Sequence, residues 1–357
     1  MPLVNELTRQ IKEWLTPAKL QELAAGWEKQ GKPVPEQIVN ALSSRLSQDE
    51  NYERLIAWAQ EQRWRAHGAD TKHWSFLVIK LQQIVGKLLV LRHSERALRE
   101  ALPRYSPLAA AVPAGEPLWI FSLNHDLCIE LLAAELGIPV SCGYDEVAAV
   151  TFSATDGRRV AFDRISREKL ARHELDFPTT RGINLVKLHG SLEVFAYNDK
   201  LDYLRMHPTE MTALGWIEEL TRVDQKLNSN ENGRPVAIVG EIAVFDDAGV
   251  LQFLRPTLVA GGFKFEGRGG YNAPGELVEF FARKLTDFDE LVVVGYSWCD
   301  RHVNEPIERW LAGEPTRRVV FVNPSGLPLD ATPLEARIEI VRTGACDWLR
   351  TIAKPVQ

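Results

Sequence analysis

The sequence predicts an α/β protein, a Rossmann-like open parallel sheet with an N-terminal helical module and an inserted segment. Three observations carry this expectation. Helix-spaced apolar positions fill the first hundred residues with no obvious strand before Leu118. Four short apolar runs rich in β-branched residues follow, and two of them lead directly into helix patterns. Strands alternating with helices form parallel sheets, which bind ligands at the carboxyl ends of their strands.

In chain order, "LVNELTRQIKEWL" sets Val4, Leu7, Ile11, Trp14 and Leu15 on one helix face. Helical patterns continue over 18–29, 36–46, 50–63 and 72–102, separated by "GKPVP" and "HGAD", and define a helical module over 18–105. Within it "WSFLVIKLQQIVGKLLVL" is interrupted by Lys80, Gln82, Gln83 and Lys87, so it reads as a core helix and not a membrane span. "LWIFSL" (118–123) is a strand feeding the helix "DLCIELLAAELG", which Gly137 ends. "INLVKL" (183–188), "LVVVGY" (291–296) and "RVVFVN" (318–323) have the length and composition of buried parallel strands. The third of the four runs enters the helix "DRHVNEPIERWLAG". Residues 115–191 and 251–345 are thus expected to form the Rossmann-like core. The stretch 192–250 reads as an insertion, with a helix near 209–227 and then the polar "NSNENGRP". The glycine-rich "GGFKFEGRGGYNAPG" (261–275) is expected as a loop over the ligand edge.

Composition narrows the function. The 357 residues are 45% hydrophobic and 25% charged, ordinary for a globular chain, and the net charge of −6 argues against direct nucleic-acid binding. The most basic stretch, "LRHSERALREALPR", reads as one helical face with Arg92, Arg96 and Arg99, and Glu95 and Glu100 stand among them as partners. Cys128, Cys142, Cys299 and Cys346 include no C-x-x-C pair, which excludes a zinc ribbon and fits a reducing cytoplasm. No basic-then-apolar signal region opens the sequence. Trp58, Trp64 and Trp74 offer a partner surface, although core packing is the expected fate of at least two.

The polar residues at strand ends are the functional candidates. Taken singly, Asn124 and Asp126 read as helix caps, His189 as a hydrogen-bonded structural histidine, Gly295, Tyr296 and Ser297 as a tight turn, and Asn323 before Pro324 as a turn residue. Four strands delivering polar groups to one edge point instead to a shared site. Asp300 reads as the N-cap of the following helix. His302 and Asn304 suit a surface or subunit contact as well as a cofactor role.

The order "N-x-D", "KLHGS", "FLRPTLVAG", "VVGYSWCDRHVN" and "FVNP" resembles the sirtuin-like NAD-consuming family, above all its bacterial members without a zinc ribbon, many of them phage-defence effectors. The resemblance spans residues 1–25 and 115–345 and implies a single sirtuin-like domain over 1–357. It implies that Asn124, Asp126 and His189 are catalytic, that Gly190, Gly295, Tyr296, Ser297 and Asn323 bind the cofactor, and that no metal is used. Where the family often has tyrosine in the first motif, this chain has His125.

The residue types suit that chemistry. Cleaving nicotinamide from ribose builds oxocarbenium character on the sugar, so a site must orient the ribose and water, and a neutral histidine can accept the proton. The resemblance implies an NAD hydrolase, with NAD as substrate, and because a free NAD hydrolase would poison its own cell, gating by self-association or by a partner protein is expected. Two alternatives remain at this point: a zinc-less NAD-dependent deacylase, and a non-catalytic NAD-binding regulatory or scaffold subunit. "MPLVNELTRQI" looks like the family's opening helix without its preceding strand and glycine-rich phosphate loop, which leads to the expectation that the reading frame begins upstream of Met1.

Overall fold

A computed structural model describes residues 4–29, 31–48, 51–153, 159–226, 241–261, 272–326 and 337–353. Helices α1 (Val4–Trp14), α2 (Pro17–Lys29), α3 (Glu36–Gln48), α4 (Tyr52–Arg65), α5 (Ala69–Arg92), α6 (Glu95–Tyr105) and the short α7 (Leu108–Ala111) precede every strand. Then come β1 (Pro117–Ser122), α8 (Cys128–Glu135), β2 (Val140–Ser141), β3 (Asp145–Ser153), β4 (Arg159–Ser166), α9 (Arg167–Ala171) and β5 (Gly182–Lys187). The middle of the chain holds β6 (Val194–Tyr197), β7 (Asp202–His207), α10 (Ala213–Lys226), β8 (Ile242–Phe245) and β9 (Leu251–Pro256). The last part is α11 (Glu276–Lys284), β10 (Glu290–Val294), α12 (Arg301–Gly313), β11 (Arg318–Val322), β12 (Ile338–Val341) and α13 (Ala345–Ile352).

The helical module forms as its apolar spacing requires. Leu7, Ile11 and Leu15 recur every fourth residue and are buried. The side chain of Asn51 accepts from the Glu53 N–H (2.8 Å) to start α4. The expected helix over 72–102 is broken at His93: Ser94 accepts from the Ala97 N–H (3.2 Å) and begins α6. Arg92 therefore belongs to a different helix from Arg96 and Arg99 and pairs with Glu6 (3.4 Å), while Arg96 takes Glu100 (2.9 Å) and Arg99 takes Glu95. Helix α5 has the length and hydropathy to cross a membrane, yet it buries Trp74, Leu77, Leu81, Val85 and Leu88 and contacts α1, α4 and α10. Trp58 meets Trp74 edge-on at 5.3 Å, the core use expected of two of the tryptophans.

Four of the six parallel strands described, β1, β5, β10 and β11, fall where the apolar runs predict, whereas β2 and β12 were not expected, and the six form two sheets. In one the order is β1-β5-β2, and all six residues of β5 are buried, as befits a middle strand. In the other the order is β10-β11-β12, again parallel. No ladder joins the two among the described residues, so the single open sheet expected from the sequence is corrected to two three-stranded sheets. One apolar cluster serves both, through Val186 and Leu188 from the β5 side, Phe281 of α11, Ile307 and Trp310 of α12, and Phe321 of β11.

The largest correction is a closed antiparallel barrel in the order β3-β4-β7-β6-β9-β8. It draws strands from the expected core (β3, β4, β9) as well as from the expected insertion (β6, β7, β8), so the boundary at 192–250 does not mark a unit. Alternation explains it. Phe152, Val160, Phe162, Phe195, Leu204, Met206, Val244 and Leu254 are buried in one cluster, continued by Trp216, Leu220 and Val223 of α10. The opposite face supplies Ile165, Val194, Ala196 and Tyr203 to the cluster of the parallel sheets. Helix α10 matches the helix expected near 209–227. The "NSNENGRP" stretch (228–235) and residues 262–271 of the glycine-rich stretch lie outside the described residues.

Phe162 is fully buried and packs between Phe152 (5.7 Å) and Phe195 (5.9 Å). Phe162→Ala is expected to cost about 3–5 kcal/mol in chemical denaturation. A loss below about 1 kcal/mol would mean that this position does not seal the barrel interior.

Candidate functional site

Four strand ends meet in one row. After β1, the Asn124 N–H donates to Ser122 Oγ (3.1 Å), and Asn124 stands exposed at the edge. The next residue turns inward: His125 Nδ1–H donates to the Gly190 carbonyl (3.3 Å), and the Leu192 N–H donates to the His125 carbonyl (3.0 Å). The loops after β1 and β5 are thereby stitched together. His189, 2% exposed, reaches the loop after β10, where its Nε2 lies 2.8 Å from Nε2 of His302 and 4.0 Å from Oδ1 of Asp300. Across the second sheet, the Gly295 N–H donates to the Val322 carbonyl (2.9 Å) and Asn323 Nδ2 donates to the Tyr296 carbonyl (3.1 Å).

The turns need special backbone. Gly190 has φ of +77°, and a Cβ there would stand 1.9 Å from the Thr257 carbonyl oxygen, so glycine is required twice over. Thr257 and Val259, after β9, grip this turn: Thr257 Oγ1 accepts from the Ser191 N–H (3.2 Å), and the Val259 N–H donates to the His189 carbonyl (3.0 Å). Trp298 carries φ of +60° although it is not glycine. Its carbonyl accepts from Asn304 Nδ2 (2.8 Å), and its ring packs on Phe321 (6.0 Å), contacts that hold the strained conformation.

Beneath the row lies a buried ion network centred on Lys187, the last residue of β5. Its Nζ donates to the Asp126 carbonyl (2.6 Å) and to Ser191 Oγ (2.9 Å), and it pairs with Glu130 (2.5 Å) and Glu193 (3.3 Å). Arg205 of β7 stands 3.9 Å from Glu193 and lies over the Trp216 ring (4.8 Å). Burial alone pulls the Lys187 amine down, but Glu130 and Glu193 hold it above its ordinary value. Burial pushes the Glu130 carboxyl up to about 7 against the pull of Lys187. The opposing burial effect on Glu193 is overcome by Lys187 and Arg205, which keep it below the usual carboxylate range. One ammonium thus orients the loop that carries Asn124 and Asp126 and the loop that carries His189.

The structure divides the expected site residues. Asn124 and His189 face the row. Asp126 is buried, and its Oδ1 accepts from the Cys128 N–H (2.9 Å), the helix-start role that the residue alone suggests. Asn323 spends both ends internally, since its Oδ1 also accepts from the Ser325 N–H (2.9 Å). Tyr296 donates to Asn304 Oδ1 (2.7 Å), burial raises its phenol above the ordinary range, and Gly295 and Ser297 are exposed. Asp300 does occupy the N-cap position of α12, but its carboxylate makes no capping hydrogen bond and stands near His189 instead. Sequence reasoning missed this use of Asp300 and His302. Their spacing of two residues at the start of a helix that follows a strand was the available signal. Arg255, within the quoted "FLRPTLVAG", lies on the barrel wall and pairs with Glu241 (2.6 Å) and Asp199 (3.2 Å). No protein-family model and no curated protein matches this chain.

The helical module reaches the site through His93. Its Nδ1–H donates to the Leu89 carbonyl (2.7 Å), and its Nε2 accepts from the Leu127 N–H (2.9 Å), a pair of bonds that only the neutral ring can make. Desolvation first, and Lys187 in addition, lower its pKa, against the Leu89 hydrogen bond, Asp126 and Glu193. A depressed folded-state pKa means that the stability contribution is complete above the unfolded value of about 6.5 and is lost as pH falls toward the folded one. Glu130, raised in the folded state, has the opposite slope. In urea titrations between pH 7 and 5, His93→Gln should therefore lose less stability on acidification than wild type. Parallel curves would refute a neutral His93. Lys187→Met leaves two carboxylates buried and should cost about 3–5 kcal/mol, with a loss under 1 kcal/mol arguing that the network is not structural.

Proposed function

We propose that this chain binds NAD along the row of strand ends and hydrolyses its nicotinamide–ribose bond. The single observation that carries the reading is the convergence of His189 with the ends of β1, β10 and β11, the arrangement that the motif order implies. In this reading the two parallel sheets are the halves of a Rossmann-like nucleotide site, and the six-stranded barrel is an addition to it.

The C1′–N1 bond breaks with its electron pair going to nicotinamide, which leaves neutral, and water adds to the ribose carbon. Asn124, exposed at the end of β1, orients ribose or water through its amide. His189 Nε2 takes the proton. Its neighbour His302 at 2.8 Å and Asp300 at 4.0 Å spread and offset the charge that develops. Lys187 positions both loops and touches no reacting atom. A hydrolase of this kind is gated by self-association or by a partner protein and works in the reducing cytoplasm that four free cysteines suit.

One observation favours a second reading, a nucleotide-binding scaffold without turnover: Asp126 and Asn323 spend their side chains on internal hydrogen bonds. Incubation with NAD, with and without an acylated peptide, separates the possibilities. Release of nicotinamide and ADP-ribose without peptide is the expected outcome, and His189→Ala should reduce it by about 10²–10⁴-fold with NAD affinity retained. Products only with peptide would mean a zinc-less deacylase. Saturable NAD binding without products would mean the scaffold.

A further inference from the structure

We propose that His189, Asp300 and His302 form a binding site for one divalent transition-metal ion of the zinc class. Their three ligand atoms all lie within 4.8 Å of one another, and the two imidazole nitrogens are 2.8 Å apart. Two nitrogens at the zinc–nitrogen distance of about 2.0–2.1 Å are separated by about 2.9 Å at a right angle and about 3.3 Å at the tetrahedral angle. The two rings now face each other across a hydrogen bond, with centroids 5.0 Å apart, so an ion displaces the shared proton, opens the nitrogens by a few tenths of an ångström and turns the rings until both lone pairs converge on it. The Asp300 oxygen, 4.0 Å from His189 Nε2, supplies the third ligand.

Placement favours the same occupant. His189 is fixed at the end of a fully buried strand by the Val259 N–H and the Gly190 turn, while Asp300 and His302 sit in the first turn of α12. The guanidinium of Arg301, the residue between Asp300 and His302, pairs with Glu305 (2.5 Å). Two imidazoles and one carboxylate with open positions suit zinc, iron, cobalt or nickel, whereas calcium and magnesium require oxygen donors. The ion would occupy the lone pair of His189 Nε2. Under the hydrolase reading, on which this consequence alone rests, bound metal blocks proton acceptance and inhibits nicotinamide release.

Cobalt(II) added to metal-free full-length protein should give visible ligand-field bands that saturate at one equivalent, and zinc should displace them. His302→Gln and Asp300→Asn, checked for folding by circular dichroism, should weaken cobalt affinity by at least about tenfold. His67→Ala, at an exposed histidine outside the cluster, should leave it unchanged. Equal affinity in wild type and His302→Gln, or loss in His67→Ala, overturns the site. Saturable cobalt binding that depends on His302, in a protein that releases no nicotinamide even when stripped of metal, upholds the site and removes the hydrolase reading.

Discussion

A lysine ammonium in the interior has to be surrounded by acceptors, because an isolated charge there costs far more than a domain's net stability. Lys187 meets this demand at the end of β5, and its partners come from four places: the backbone of Asp126, the hydroxyl of Ser191, Glu130 of α8, and Glu193 just before β6. Each is held at a fixed distance from the same atom. The loop after β1, the loop after β5, helix α8 and the entry to the barrel are consequently set relative to one another by a single charge. Buried ion pairs are weak evidence for stability as such, since a well-packed apolar replacement often does as well. Their value here is positional, because an apolar core would leave the Asp126 carbonyl and the Ser191 hydroxyl without this donor.

The barrel and the parallel sheets share strand faces. Tyr203 and Ile165 point out of the barrel into the cluster that also contains Val186, Phe281 and Phe321, while Leu204, next to Tyr203, and Phe162, three residues before Ile165, fill the barrel interior. Strand side chains alternate, so one strand can serve two cores, and a slip of one residue would exchange them. Thr257 and Val259, directly after β9, carry this coupling to the His189 turn. The helical module is tied in by His93, whose ring accepts the Leu127 N–H at the start of α8. Three structural layers therefore converge on residues 123–127 and 187–193.

The strand-end positions of the candidate residues were legible before the structure. His189 stood out because a histidine and glycine closing an apolar run place a polar group at a strand end, and the structure adds that Gly190 turns with positive φ. Asn124 was legible for the same reason. Asp126, Asn323 and Tyr296 were named as site residues, but their internal hydrogen bonds follow the simpler reading that each residue allowed alone. The partners of His189 were not legible, since Asp300 and His302 lie more than a hundred residues away and read locally as an ordinary helix start.

By itself the sequence determined the helix-then-α/β order, four of the six parallel strands and the residues at their ends, because period-3.6 spacing, short β-branched runs and turn residues act over a few neighbours. Tertiary structure decided what those local signals cannot encode. Whether strands share one sheet or two depends on edge pairing, and "RVAFDRIS" (159–166) and "LDYLRMH" (201–207) became barrel walls because partners far along the chain supplied matching faces. The same holds for Lys187 and the His189–His302 pair. Charges and imidazoles read as surface groups in a sequence until the fold removes water from around them and brings distant partners within a few ångströms.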